Sequence, residues 1–132
     1  MSIEDDLRQA VASNPSVRLL VLFGSRARGS SRPTSDADVG ISLTDPSVRS
    51  VVEAALSRAA GRSIDIVDLE TSPPQLRFEI ARDGMALLER DPHAWPDFRA
   101  RAMVDWWDWA PTARRLHAAA LSRLRAGAHG PA

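Results

Sequence analysis

The sequence predicts an α/β layer fold, a small mixed sheet flanked by helices with further helices at the C-terminal end. Three observations carry that reading. Val17–Phe23 is apolar at every position but Arg18, the pattern of a strand covered on both faces. Residues 36–43 alternate, with Asp36, Asp38, Gly40 and Ser42 on one face and Ala37, Val39, Ile41 and Leu43 on the other. Stretches with helical apolar spacing lie between such segments. With 132 residues and no repeat or linker, one domain is expected over 1–132, with a core at about 17–89 and a helical segment at about 91–126.

Local signals justify each element in turn. Ser2 can cap a helix to Ala12 with Ile3, Leu7 and Val11 on one face, and Asn14-Pro15 breaks it. Val17–Phe23 follows as a strand, expected to be central. Gly24 to Arg28 form a turn, and a polar loop runs from Gly29 to Ser35. After the strand Asp36–Leu43, Asp45-Pro46 caps and opens a helix that Gly61 ends. Ser63 to Leu69 is a third strand. Pro73-Pro74 opens a helix to Asp83, Gly84 stops it, and Met85 to Leu88 is a short fourth strand. A helix is expected from Asp91-Pro92 to about Trp109, another from Pro111 to about Arg125, and a frayed tail from Gly127 to Ala132.

Composition narrows the function. The 17 basic and 17 acidic residues balance, so the electrostatic footprint of a nucleic-acid binder is missing and no direct nucleic-acid contact is expected. All 17 basic residues are arginine, which excludes a P-loop lysine or a Schiff base. The absence of cysteine excludes disulfides and thiolate metal sites. Met1 to Asp6 is polar and acidic, unlike a signal peptide, and no apolar run approaches the ~20 residues that cross a membrane. A cytoplasmic location and no membrane partner are expected.

The chemistry concentrates at Gly24-Ser25, ten residues, then Asp36-Ala37-Asp38. Carboxylates at i, i+2 on a strand share a face and repel unless a cation such as Mg²⁺ lies between them. A Gly-Ser turn at the end of a strand can bring bare N–H groups close to a phosphate. Asp65, flanked by Ile64 and Ile66, sits in an apolar strand where a lone carboxylate is costly to bury, and it approaches the pair if the strands are neighbours. Three carboxylates can hold two Mg²⁺ ions for in-line displacement at an α-phosphorus, with Asp65 the nearest general base. Asp68 competes for the third position. Strand parity sets it on the opposite face, where a cap or loop role suits it. Arg26 and Arg28 are candidate phosphate ligands, a solvated turn being the alternative.

The pattern Gly24-Ser25-x10-Asp36-x-Asp38, followed by a hydrophobic-Asp-hydrophobic strand, resembles the nucleotidyltransferases of the DNA polymerase β type. The size and the stretch Asp65-Ile-Val-Asp-Leu…Pro73-Pro74-Gln-Leu-Arg77…Arg82-Asp-Gly84 look like the minimal nucleotidyltransferases of the MntA antitoxin family. The resemblance covers roughly Val17 to Glu89. It implies that Gly24, Ser25 and nearby amides hold the triphosphate of ATP, that Asp36 and Asp38 bind Mg²⁺, and that Asp65 completes the site. Members of that family pair with an HEPN-domain ribonuclease toxin and silence it by moving AMP from ATP to a toxin tyrosine. This chain contains no tyrosine, so a tyrosine acceptor must come from a partner.

Two alternatives stand beside that reading. One is a nucleotidyltransferase acting on a small molecule such as an aminoglycoside, for which the stretch after Asp91 offers little material to shape an acceptor pocket. The other is an antitoxin that works by binding and occlusion without turnover. Among other signals, Trp106 and Trp109 with Met103 form a stripe expected to pack in the core, and Trp107 points elsewhere as a candidate partner contact. Arg77 has a weaker claim on the site. Arg114, Arg115, Arg123 and Arg125 make the last helix basic, and the three histidines lack metal-ligand spacing.

Overall fold

A computed structural model describes residues 2–24, 37–61 and 63–128. The elements, in order, are α1 (Ile3–Val11), β1 (Val17–Phe23), β2 (Ala37–Leu43), a 3₁₀ turn (Pro46–Val48), α2 (Arg49–Ala60), β3 (Ile64–Asp68), α3 (Pro74–Asp83), β4 (Met85–Glu89) and α4 (Ala94–Ala128). The four strands form one mixed sheet in the order β3-β2-β1-β4. β1 runs antiparallel to both neighbours, and β2 and β3 are parallel.

The two-sided apolar character of β1 has its counterpart in the layers. Leu20 and Leu22 face one side, where Leu7 and Val11 of α1 and Val52 and Leu56 of α2 close the core. Leu19, Val21 and Phe23 face the other, against Ile80 and Ala81 of α3 and Phe98 and Ala102 of α4. β1 is therefore interior, with helices on both faces.

The local signals act at the expected places. The Ser2 side chain accepts from the Asp5 N–H, and Gly61 ends α2 at φ 64°. The Asp45 carboxylate accepts from the hydroxyl and the backbone N–H of Ser47, which holds its carboxyl below the usual carboxylate range. The helix predicted from Pro46 begins as the 3₁₀ turn before α2 takes over.

Three expectations at the C-terminal end are corrected. The two helices predicted around Pro111 are one, with the proline inside α4. Its ring forgoes a single i→i−4 hydrogen bond, a local cost of about 3 kcal/mol that the Ala-, Leu- and Arg-rich stretch after it absorbs. The fraying expected from Gly127 gives way to helix through Ala128, and residues 129–132 lie outside the described ones. Met103, assigned to the core stripe, is exposed, because the buried face of α4 is set by Phe98 and Ala102. Trp106 does pack inward, stacked on Phe78 at 4.8 Å, and Trp95 stacks on Phe98 at 5.7 Å.

Phe98, 1% exposed, anchors α4 to the sheet. Phe98→Ala is expected to lower the unfolding free energy by about 3–5 kcal/mol in urea titration. A loss below ~1 kcal/mol would show that this core rearranges around the void. Among the described residues, no helix is long and apolar enough to cross a membrane.

Candidate active site

The candidate site forms at one end of the sheet, where β1 finishes and β2 and β3 begin. Antiparallel pairing sets Phe23 opposite Asp38, and parallel pairing sets Asp38 beside Asp65. Paired residues on neighbouring strands share a face, and the strands lie ~4.8 Å apart. The register therefore brings two carboxylates together that are separated by 26 residues of chain (65 − 38 = 27 positions, 26 between). Their face is the one covered by α3 and α4.

Gly24 joins them. It sits at φ 81° directly after β1, a conformation that L side chains rarely adopt, and a Cβ built there would overlap Oδ2 of Asp38. The glycine is thus required twice, for the turn itself and for the Asp38 carboxylate resting against its Cα. Ser25, Arg26, Arg28 and Asp36 lie outside the described residues.

The rest of the Asp38 face is ordered by the turn after β3. Leu69 folds over Gly40, where a side chain would collide with it, and its N–H donates to the Ile41 carbonyl at 2.9 Å. The Ser42 hydroxyl donates to Glu70 Oε1 at 3.0 Å. The small residue at 40 lets the turn close over this face, while Asp65 at the start of β3 stays exposed.

Asp65 differs from the expectation in one respect. It is exposed, because β3 is an edge strand and its second residue lies at the sheet's open end, so no burial cost arises. Among the described residues it makes no hydrogen bond or ion pair. Asp68 behaves as a strand-ending residue: its Oδ1 accepts from the Glu70 N–H at 2.8 Å, and its Oδ2 lies 3.8 Å from Arg49. Arg77 is held away from the carboxylates, between α3 and α4. Its Nη1 donates to Asp105 Oδ2 at 2.6 Å, and its guanidinium lies 5.5 Å from the Phe98 ring centre. Its Nε is buried with no hydrogen-bond partner among the described residues, a feature the sequence did not announce.

A divalent cation fits this arrangement. Asp38 and Asp65 offer hard carboxylate oxygens on one face, and Asp65 is exposed to approach. Among the described residues, no group of three His, Cys, Asp or Glu residues is placed to hold a metal, and Asp36 lies outside them.

Comparison with known proteins bears on the same region. Residues 5–93 match the family model described as "Polymerase beta, Nucleotidyltransferase". No curated protein shows significant similarity to the chain. Among solved structures, a toxin–antitoxin crystallised with AMP-PNP superposes with a TM-score of 0.76 at 20% identity, over 89% of this chain and 98% of that one. The MntA–HepT toxin–antitoxin gives 0.71 at 18% identity, over 90% and 97%. A complex of the MNT antitoxin with a tri-AMPylated HEPN toxin from Shewanella oneidensis gives 0.71 at 18%, over 90% and 96%. At these identities the likeness is one of fold.

Proposed function

The chain belongs to the polymerase beta nucleotidyltransferase family, and on that premise we propose that it is an antitoxin that moves AMP from ATP to a tyrosine hydroxyl of a cognate HEPN ribonuclease. The observation carrying this reading is the meeting of Gly24, Asp38 and Asp65 at one sheet end, in a chain similar over nearly its whole length to antitoxins solved with HEPN toxins. The AMP-PNP in one toxin–antitoxin structure and the AMP groups on the HEPN toxin of another support ATP as donor and protein as acceptor.

Each residue has a part in the transfer. As the family resemblance implies, Gly24 and Ser25 would offer backbone N–H groups to the triphosphate, and Arg26 and Arg28 would bind its oxygens. Asp36, Asp38 and Asp65 would hold Mg²⁺, which neutralises charge on the phosphates and lowers the pKa of the attacking hydroxyl. Asp65, exposed at the start of β3, takes the hydroxyl proton. The tyrosine oxygen bonds to the α-phosphorus, the bond from that phosphorus to the bridging oxygen breaks, and pyrophosphate leaves. Asp38, braced against Gly24, fixes the position of the phosphates relative to that oxygen.

A small-molecule acceptor is less well served. The helical material that would wall an acceptor pocket instead runs out along α4, mostly exposed beyond residue 110.

Intact-mass spectrometry of the protein encoded beside this chain, after incubation with ATP and Mg²⁺, tests the proposal. One or more added AMP groups are expected on tyrosine. An unmodified protein that still co-purifies would replace transfer by neutralisation through binding.

A further inference from the structure

α4 is longer than the domain it packs on. Leu116, Ala120 and Leu124 each follow Phe98, Ala102 and Trp106 by 18 positions. That is five turns at 3.6 residues per turn, so the same helix face recurs. The first three residues meet the sheet or α3, whereas Leu116 is 56% and Leu124 is 71% exposed. A helical stretch of that length without tertiary packing is marginal in water, so the face is built for burial by something else.

The charges on this arm define its occupant. After Asp108 the chain has no acidic residue, while Arg114, Arg115, Arg123 and Arg125 are all exposed, with Arg123 flanking the apolar face and the others spread around the helix. Pairing of two such arms would set arginines against arginines, which disfavours a second copy. A different protein, with an apolar groove edged by carboxylates, satisfies both the apolar face and the positive charge of the arm. At the root of the arm, a cleft of about 390 Å³ between α3 and α4, lined by Gln75, Trp106, Ala110, Arg114 and His117, offers a seat for an apolar side chain.

We propose that the overhanging half of α4 is the docking arm through which this chain holds its HEPN partner, seated in a carboxylate-edged apolar groove on that protein. The proposal rests on the function proposed above. Docking through an arm remote from the catalytic carboxylates would leave the acceptor hydroxyl free to reach them.

The test measures the Kd of the purified chain for a candidate HEPN protein encoded with it by calorimetry, at two salt concentrations. Leu116→Asp/Leu124→Asp is expected to weaken binding by roughly 100-fold or more, with the circular-dichroism melt unchanged because both positions are exposed. Arg114→Glu/Arg115→Glu/Arg123→Glu is expected to weaken it by ~10-fold and to abolish its salt dependence. Leucine variants that bind like the wild type overturn the arm while leaving AMP transfer intact. A wild-type chain that neither binds nor modifies the HEPN protein overturns the functional reading, and the arm with it. A wild-type dimer that the leucine changes convert to monomer assigns the face to a second copy and overturns the proposal.

Discussion

Asp38→Asn is expected to abolish nucleotidyl transfer while the protein stays folded. The substitution keeps the shape of the side chain and removes its charge, at a half-buried position beside Gly24 and in register with Asp65. A neutral amide is a poor Mg²⁺ ligand and cannot oppose the charge developing on the phosphates. The rate of AMP addition, followed by intact mass, should fall by about 10³-fold, which corresponds to ~4 kcal/mol of transition-state stabilisation. Asp65→Asn should fall comparably, since Asp65 is assigned both a share of the cation and the acceptor proton. The double variant should lose little more than either single one, because residues acting as a unit are not additive. Unfolding curves should move little, as Asp65 is exposed. Transfer retained within ~10-fold in Asp38→Asn would remove this carboxylate from the site.

Gly24→Ala is the second large effect, and it tests the site through geometry. At φ 81° an alanine costs about 1–2 kcal/mol of backbone strain, and its methyl overlaps Asp38 Oδ2. Either the turn relaxes or the carboxylate swings away, and both separate the turn proposed to bind phosphate from the strand proposed to bind the metal. A loss of ~100-fold in transfer is expected, since misplacement by about 1 Å has that scale. The thermal midpoint should drop by several degrees, in line with the strain alone. Gly61→Ala offers the comparison: its φ is 64°, yet among the described residues nothing lies within 4 Å of the added methyl. It should cost stability and spare activity. Equal activity losses in the two glycine variants would show that Gly24 acts through the stability of the fold.

The elements were largely legible because their signals are local. Alternation at residues 37–43, caps at Ser2 and Asp45, and stops at Gly61 and Gly84 each depend on a few neighbouring residues, and all appear where expected. The run of α4 through Pro111 was not legible, because one absent N–H breaks a helix only when nothing on either side favours continuing it. The exposure of Asp65 was hidden for another reason. Flanking isoleucines report burial of their own face of β3, and the open edge of the sheet is a property of strand order.

The sequence by itself determined the α/β class, the central place of β1 and the types of residue at the candidate site. Periodicity, capping chemistry and the spacing from Gly24 to Asp38 are all encoded within short windows. Only the tertiary structure decided that β3 lies parallel to β2 with Asp65 level with Asp38, that Gly24 is packed against that carboxylate, and that Arg77 belongs to the α3–α4 contact. Register and packing depend on which distant segments come together, and a side-chain period of two fixes each strand's faces without choosing its neighbour.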